Sequence, residues 1–78
     1  MKYLRDIEGI KALGKRIKQI RLNQNLSQEE LSYKAEIEYS QISRIERGII
    51  NTSVSQIFAI AKALNTEPHK LFLFNEIE

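Results

Sequence analysis

Residues 39–47, with the sequence YSQISRIER, combine two isoleucines with hydroxyl and guanidinium side chains. Wound as a helix, Ile42 and Ile45 lie on one side, because residues three apart are neighbours on a helix surface. The opposite edge then carries two arginines and three hydroxyl groups. Because an arginine can donate two parallel hydrogen bonds to the O6 and N7 atoms of guanine, this edge is suited to the major groove of DNA.

Catalytic and metal-binding chemistry is not indicated by the sequence. The chain has no cysteine, and its single histidine, His69, has no second ligand at a metal-binding spacing. The glutamates stand in local pairs, and no nucleophile is accompanied by a histidine base. The sequence therefore predicts a protein that is not an enzyme and that has no cofactor and no bound metal.

The length of 78 residues predicts a single domain over residues 1–78. No apolar run approaches the roughly 18 residues of a membrane span, and no signal peptide is recognisable, so we expect a cytoplasmic protein that does not contact membranes. The net charge is only +2, but residues 1–24 carry seven cations and two anions. Such an uneven distribution favours one face that can bind a polyanion.

The apolar periodicity predicts an all-α protein, a compact bundle of five helices. The first helix is predicted over residues 6–23, where apolar residues recur at spacings of three and four. The others are expected at 28–35, at about 39–47, at 54–64 and as a last short helix that contains Pro68.

Short polar motifs mark the ends of these helices. Ser27 with Glu30, and Ser53 with Gln56, have the spacing of capping boxes. Gly48 is expected to end the third helix, because glycine accepts the left-handed conformation. Thr66 is expected to cap the last helix. The fourth helix is predicted to bury a stripe of five residues: Val54, Ile57, Phe58, Ala61 and Leu64.

The helices at 28–35 and 39–47 are separated by three residues, which predicts a tight helix-turn-helix. Ser32 and Ala35 are small enough for the second helix to cross closely, and Ile37 can fill the angle between the two helices. A residue of the turn must take a positive φ angle.

Three segments, LSQEEL at 26–31, ISRIERG at 42–48 and IAKAL at 60–64, resemble the phage-repressor (Cro/XRE-type) helix-turn-helix family. The resemblance extends over about residues 13–72, and the three motifs occur in the family's order and at its separations. It implies a lambda-repressor-like domain of five helices that binds double-stranded DNA, usually as a homodimer on palindromic operators.

The resemblance also assigns roles to individual residues. It implies that residues at the start of the second helix and along the outer edge of the third contact bases or phosphates. It further implies that Arg21 and Glu46 form a partly buried salt bridge, which ties the first helix to the third. The candidate DNA-binding residues are Gln28, Tyr39, Ser40, Ser43, Arg44 and Arg47.

This sequence departs from the family pattern at three places. Glu36 stands where the turn usually has glycine, so either it adopts left-handed geometry at a cost of roughly 1–2 kcal/mol or the turn is remodelled. Glu38 stands where a serine or threonine normally caps the recognition helix. Ile49 and Ile50 replace loop residues that are often basic in relatives, so contacts with the DNA backbone are expected instead from Lys15, Arg16 or the amino-terminal arm.

The tail from Leu71 onward has more apolar residues than a short helix can bury. Leu73, Phe74 and Ile77 are therefore predicted to form a dimer seam with their symmetry mates, with 73–78 acting as a dimerisation tail. The alternative is that Leu71 and Phe72 complete the core while the remainder frays.

These patterns favour a sequence-specific DNA-binding transcriptional regulator, a repressor or autoregulator, that acts as a homodimer on a palindromic operator. A stand-alone regulator, a restriction-modification controller and an antitoxin-type autoregulator all fit the sequence. The alternative is a protein-interaction module of the same fold, and contacts with RNA polymerase or with a toxin stay open.

Overall fold

A computed structural model of the chain describes residues 4–75, which contain four α-helices, one 3-10 helix and no strand. This confirms the prediction of an all-helical fold. The elements, in chain order, are α1 (Ile7–Asn23), α2 (Gln28–Ala35), α3 (Tyr39–Arg47), α4 (Val54–Ala63) and the 3-10 helix (Pro68–Phe72).

The prediction of five α-helices is wrong for the last element. The segment Pro68–Phe72 is a 3-10 helix of five residues, in which the Lys70 amide donates to the Glu67 carbonyl over 3.0 Å. Five residues are too few to complete two α-helical turns, and short helical pieces commonly adopt the tighter 3-10 pattern. Thr66 does not cap this element, because the N-cap residue is Glu67 and no side chain makes a capping hydrogen bond there. The Thr66 amide donates to the Ala61 carbonyl and closes the end of α4.

The helices surround one hydrophobic core. Its fully buried large side chains come from all four α-helices and from the 3-10 helix: Ile17, Leu31, Ile42, Ile45, Ile60, Leu64 and Leu71. The partly buried side chains of Leu26, Ile37, Ile50 and Ile57 pack against this cluster. Since every described element contributes to the same cluster, the elements cannot pack independently of one another.

The predicted buried stripe of α4 is wrong at two positions. Val54 and Phe58 are exposed to 65% and 56%, whereas Ile60 is completely buried. The helix is apolar on several sides, so the periodicity alone does not decide which side faces the core. Packing against the other helices turns Ile60, Ala61 and Leu64 inward and leaves Val54 and Phe58 side by side in solvent.

The predicted capping boxes at the starts of α2 and α4 are both present. At α2, the Ser27 hydroxyl accepts from the Glu30 amide, and the Glu30 carboxylate accepts from the Ser27 amide over 2.8 Å. Hydrogen bonds from the Ser27 backbone and side chain lower the pKa of Glu30. Ser53 and Gln56 form the same arrangement at α4. These local bonds define where two short helices begin.

The helix-turn-helix is built as its spacing predicts. Glu36 ends α2 with φ 56° and ψ 41°, the left-handed conformation. The Ile37 amide then donates to the Ser32 carbonyl over 3.1 Å. The chain thereby turns within three residues, and α3 begins at Tyr39.

The crossing of α1 and α3 depends on Gly14. A Cβ atom at this position would lie 2.7 Å from the Glu46 carbonyl oxygen and closer still to that of Ile45. Because both oxygens belong to the backbone of α3, they cannot move aside as a flexible side chain would. The absence of a side chain at Gly14 is therefore what lets α3 lie directly against α1.

An ion pair between Arg21 and Glu46 joins the same two helices. The Arg21 Nε atom donates to Glu46 Oε2 over 2.7 Å, and Arg21 Nη2 donates to Glu46 Oε1 over 2.9 Å. Arg21 Nη1 also donates to the Leu26 carbonyl over 2.7 Å. Both charged residues are only 6% exposed, so each depends on the other for compensation of its buried charge.

We expect Gly14→Ala to destabilise the protein by about 1–3 kcal/mol, because the added methyl group forces α1 away from α3. The free energy of unfolding measured by urea denaturation checks this. The control is Gly9→Ala, where the new Cβ meets only the Asp6 side chain. Equal stabilities of the two variants would contradict the close approach at Gly14.

We expect Arg21→Ala to cost about 3–5 kcal/mol, because it leaves the Glu46 carboxylate buried without a counter-charge. The urea midpoint, followed by circular dichroism, measures the loss. The matched control is Arg47→Ala, since Arg47 is exposed on α3 and its removal should change stability by less than about 0.5 kcal/mol. A variant at position 21 as stable as this control would show that the ion pair contributes nothing.

Candidate nucleic-acid interface

Helix α3 buries one edge and leaves the other open. Ile42 and Ile45 are at most 1% exposed. On the opposite edge Tyr39 is 51% exposed, and the side chains of Ser40, Arg44 and Arg47 are also exposed. No part of the described chain covers this edge, so α3 can be approached from solvent along its whole length.

The two arginines of α3 keep most of their hydrogen-bonding capacity. Arg44 Nη1 lies 3.5 Å from Gln41 Oε1, at the limit of a hydrogen bond, and Arg47 Nε lies 3.4 Å from the Ser43 carbonyl. Neither arginine is paired with a carboxylate of residues 4–75. Ser43 is half-buried and lies between the two. The guanidinium groups are therefore available to bases or phosphates.

Gln28 is held by the same carboxylate that binds Arg21. Its Nε2 atom donates to Glu46 Oε1 over 2.9 Å, which fixes the half-buried amide at the first residue of α2. An amide nitrogen has two N–H groups, so one remains for a phosphate oxygen. This arrangement fits a residue that both braces α3 and contacts the DNA backbone.

A depression of about 430 Å³ separates the starts of α2 and α3 and is open to solvent. Six residues line it: Lys18, Arg21, Ser27, Gln28, Glu29 and Tyr39. Lys18 was not among the residues that the sequence singled out, although it lies one helical turn before Arg21 on α1. With Arg21 paired to Glu46, two charged groups are left in the lining of this depression, the cation of Lys18 and the anion of Glu29.

Two carboxylates lie at the leading end of α3. Glu38 is the N-cap residue and makes no side-chain capping hydrogen bond, as its departure from serine or threonine predicts. Glu36 and Glu38 are both exposed. They reduce the positive potential where α3 begins, so the cationic part of the helix lies in its second half, around Arg44 and Arg47.

The prediction that Arg16 contacts a DNA backbone is wrong. Its side chain is buried, with 3% exposure, because it points to the opposite side of α1 from Lys18. Arg16 Nε donates to the Lys70 carbonyl over 2.9 Å, and Nη1 donates to Gln19 Oε1 over 2.8 Å. Arg16 therefore ties the 3-10 helix to α1 and is not available to a ligand.

The tail residues lie apart from α3. Leu73 and Phe74 are 37% and 43% exposed. The Phe74 ring lies 6.2 Å from that of Phe72 and borders a groove along α1 beside Leu22. Ile77, the third residue of the predicted dimer seam, lies outside the described residues.

Within residues 4–75 no cluster of three acidic or histidine side chains has the geometry to hold a metal ion. The one histidine, His69, is exposed and lies 3.5 Å from Glu67. None of the described helices combines the length and the apolar character that crossing a membrane requires.

Comparisons with known proteins agree with this geometry. The family model for the helix-turn-helix matches residues 17–71. The control protein C.BamHI of Bacillus amyloliquefaciens is 42% identical over 65 residues, which cover 82% of this chain and 80% of that protein. An uncharacterised HTH-type transcriptional regulator of Archaeoglobus fulgidus is 33% identical, over 81% of this chain and 89% of that protein.

Solved structures show the same relationship. The restriction-modification controller protein C.AhdI from Aeromonas hydrophila superposes with a TM-score of 0.80 at 35% identity, over 81% of this chain and 96% of that one. The controller protein C.Esp1396I, as a tetramer in complex with its natural 35-base-pair operator, gives a TM-score of 0.76 at 32% identity, over 81% and 83% of the two chains. The matched segment spans the whole helix-turn-helix, and the chain belongs to the helix-turn-helix family.

Proposed function

We propose that this protein is a DNA-binding transcriptional regulator of the restriction-modification controller type. The observation that carries the proposal is the open polar edge of α3, where Tyr39, Arg44 and Arg47 are exposed and neither arginine is paired with a carboxylate of residues 4–75. The names of its relatives, control and controller proteins, support the finer assignment. The activity is one of binding and requires no catalysed reaction.

Each subunit places α3 in a major groove and approaches the flanking phosphates with Gln28 and Lys18. Two-fold symmetry of the dimer matches a palindromic operator, whose half-sites lie about 34 Å apart when they are separated by one helical turn. The proposed base-reading residues are Tyr39, Ser40 and Arg44, with Ser43 between base and backbone. Arg47 is proposed to contact the backbone.

The dimer requires an apolar surface, and the structure offers one on α4. Val54 and Phe58 are exposed and one helical turn apart, and Phe58 lines a groove bordered by Pro68 and Lys70. Phe74 is less exposed, at 43%, and its ring lies 6.2 Å from that of Phe72 in the same subunit. We therefore propose that Val54 and Phe58 form the centre of the dimer surface, and the seam of Leu73 and Phe74 is the competing hypothesis.

We expect Arg44→Ala to weaken binding to the preferred duplex by about 1–3 kcal/mol and to relax the base preference at one position of each half-site, because a bidentate contact is lost. Selection of bound duplexes from a random pool measures the preference, half-site spacing and symmetry together. Titration of the selected duplex measures the affinity.

The matched control is Arg47→Ala, which removes the same charge from the same helix. Because a phosphate contact carries no sequence information, this variant should weaken binding to all duplexes alike. An unchanged base preference in Arg44→Ala would refute the role of Arg44 as a base reader, even if the affinity fell.

We expect the double variant Val54→Lys, Phe58→Lys to be monomeric at concentrations where the unmodified protein is a dimer, because it places four like charges at the proposed seam. Sedimentation equilibrium distinguishes a species of 9.1 kDa from one of twice that mass. Leu73→Lys, Phe74→Lys is the parallel variant. Dissociation by the tail variant alone would place the seam at the tail and reject the surface on α4.

A further inference from the structure

The two ends of α3 differ in the charges available to bind DNA. A helix of nine residues is about 13 Å long, close to the roughly 12 Å width of the major groove, so a helix that lies across the groove has both of its ends near phosphates. At the leading end Lys18 and Gln28 are available. At the trailing end the loop over residues 48–53 has the sequence GIINTS, without a charged side chain. Any cation there, apart from Arg47, must come from elsewhere in the chain.

Arg5 reaches this uncharged loop from the other end of the sequence. Its Nη2 atom donates to the carbonyl oxygen of Ile49 over 2.8 Å, although the two residues are 44 positions apart. Ile49 is the first residue after Gly48, the residue that ends α3. The Arg5 guanidinium is therefore held immediately beyond the trailing end of the recognition helix.

The segment that carries Arg5 is fixed against this end of α3. Asp6 is the N-cap of α1, and its carboxylate accepts from the Gly9 amide over 2.9 Å. One turn further on, Lys11 packs so closely on Gly48 that a Cβ atom there would lie 2.7 Å from the Lys11 Cα and 2.8 Å from its Cγ. The exposed Lys11 is therefore a second cation, carried by α1, near this end of α3. The start of α1 and the end of α3 thus pack against each other at one corner, and Arg5 directly precedes the N-cap residue of α1.

The guanidinium of Arg5 retains donors for a ligand. It has five N–H groups, its bond to Ile49 occupies one of them, and the side chain is exposed. The acidic neighbours are Asp6, whose carboxylate is engaged with its own helix, and Glu8 in the first turn of α1. The partner of Arg5 at Ile49 is an uncharged backbone carbonyl, so this hydrogen bond does not neutralise the positive charge of the guanidinium.

We propose that Arg5 binds a phosphodiester of the DNA backbone at the trailing end of α3 and supplies the positive charge that the loop over residues 48–53 lacks. The bond to Ile49 orients the guanidinium for this contact. This inference rests on the proposed function, because it assumes that α3 occupies a major groove. It adds a binding residue, outside the helix-turn-helix, whose ligand is a phosphate and not a base.

The test is the salt dependence of binding to one fixed duplex, compared between the unmodified protein and Arg5→Gln. Glutamine keeps a polar N–H group but is two bonds shorter than the arginine donor, and it removes the charge. Each phosphate contact contributes about 0.9 to the slope of log affinity against log salt concentration. We therefore expect the slope to fall by about 0.9, so that affinity loss between 50 and 200 mM salt is about 3.5-fold smaller in the variant.

Two further variants keep the test decisive. Lys34→Ala removes one charge from the last turn of α2, away from the corner, and should leave the slope unchanged. Arg5→Gln combined with Ile49→Lys restores a cation at the loop and should restore the slope. We expect each variant to be folded, because Arg5 and Ile49 are both exposed. Thermal denaturation checks this.

A slope for Arg5→Gln equal to that of the unmodified protein would overturn the proposal, whatever happens to the affinity, because a residue that only positions the loop releases no counterions. The same conclusion would follow if the combined variant kept a reduced slope. Failure of the unmodified protein to bind any duplex from a random pool would instead reject the proposed function itself.

Discussion

The carboxylate of Glu46 is the point on which the geometry of the DNA-facing surface depends. It accepts two hydrogen bonds from Arg21 on α1 and one from Gln28 on α2, while its own backbone belongs to α3. A buried ion pair is rarely a large source of net stability, because desolvation of the two charges offsets much of their attraction. Its effect here is geometric, since one side chain fixes the orientation of three helices.

This constraint allows the proposed binding residues to be carried by short helices. An isolated helix of eight or nine residues is marginal in water, so α2 and α3 depend on their surroundings. Gly14 allows the backbone of α3 to lie directly against α1, and the capping box at Ser27 defines where α2 begins. The outer edge of α3 is consequently presented by a packed support, so the backbone of α2 and α3 is already in place when DNA arrives.

The sequence predicted the local features that depend on neighbouring residues. It failed for burial and contacts that depend on residues far apart in the chain. Capping boxes, the left-handed Glu36 and the bounds of α2 and α3 follow from spacings of a few residues. The packing of α4 decides whether its core-facing side carries Ile60 or the pair Val54 and Phe58. Periodicity does not determine that packing. Likewise, Arg16 is buried because Lys70, 54 positions away, offers a carbonyl. The contact of Arg5 with Ile49 has no local signal at all.

The surplus of positive charge in residues 1–24 therefore has less to do with DNA binding than its size suggests. Arg16 and Arg21 are buried inside the subunit, where Arg16 donates to the Lys70 carbonyl and Arg21 pairs with Glu46. Lys18 reaches the leading end of α3, and Arg5 is held at the trailing end. Two cations at the ends of one helix can meet the two phosphate walls of a single groove, whereas the same charges spread over α1 would only raise the attraction to any polyanion. The position of each guanidinium and ammonium group, set by helix packing, thus determines the binding surface more than net charge does.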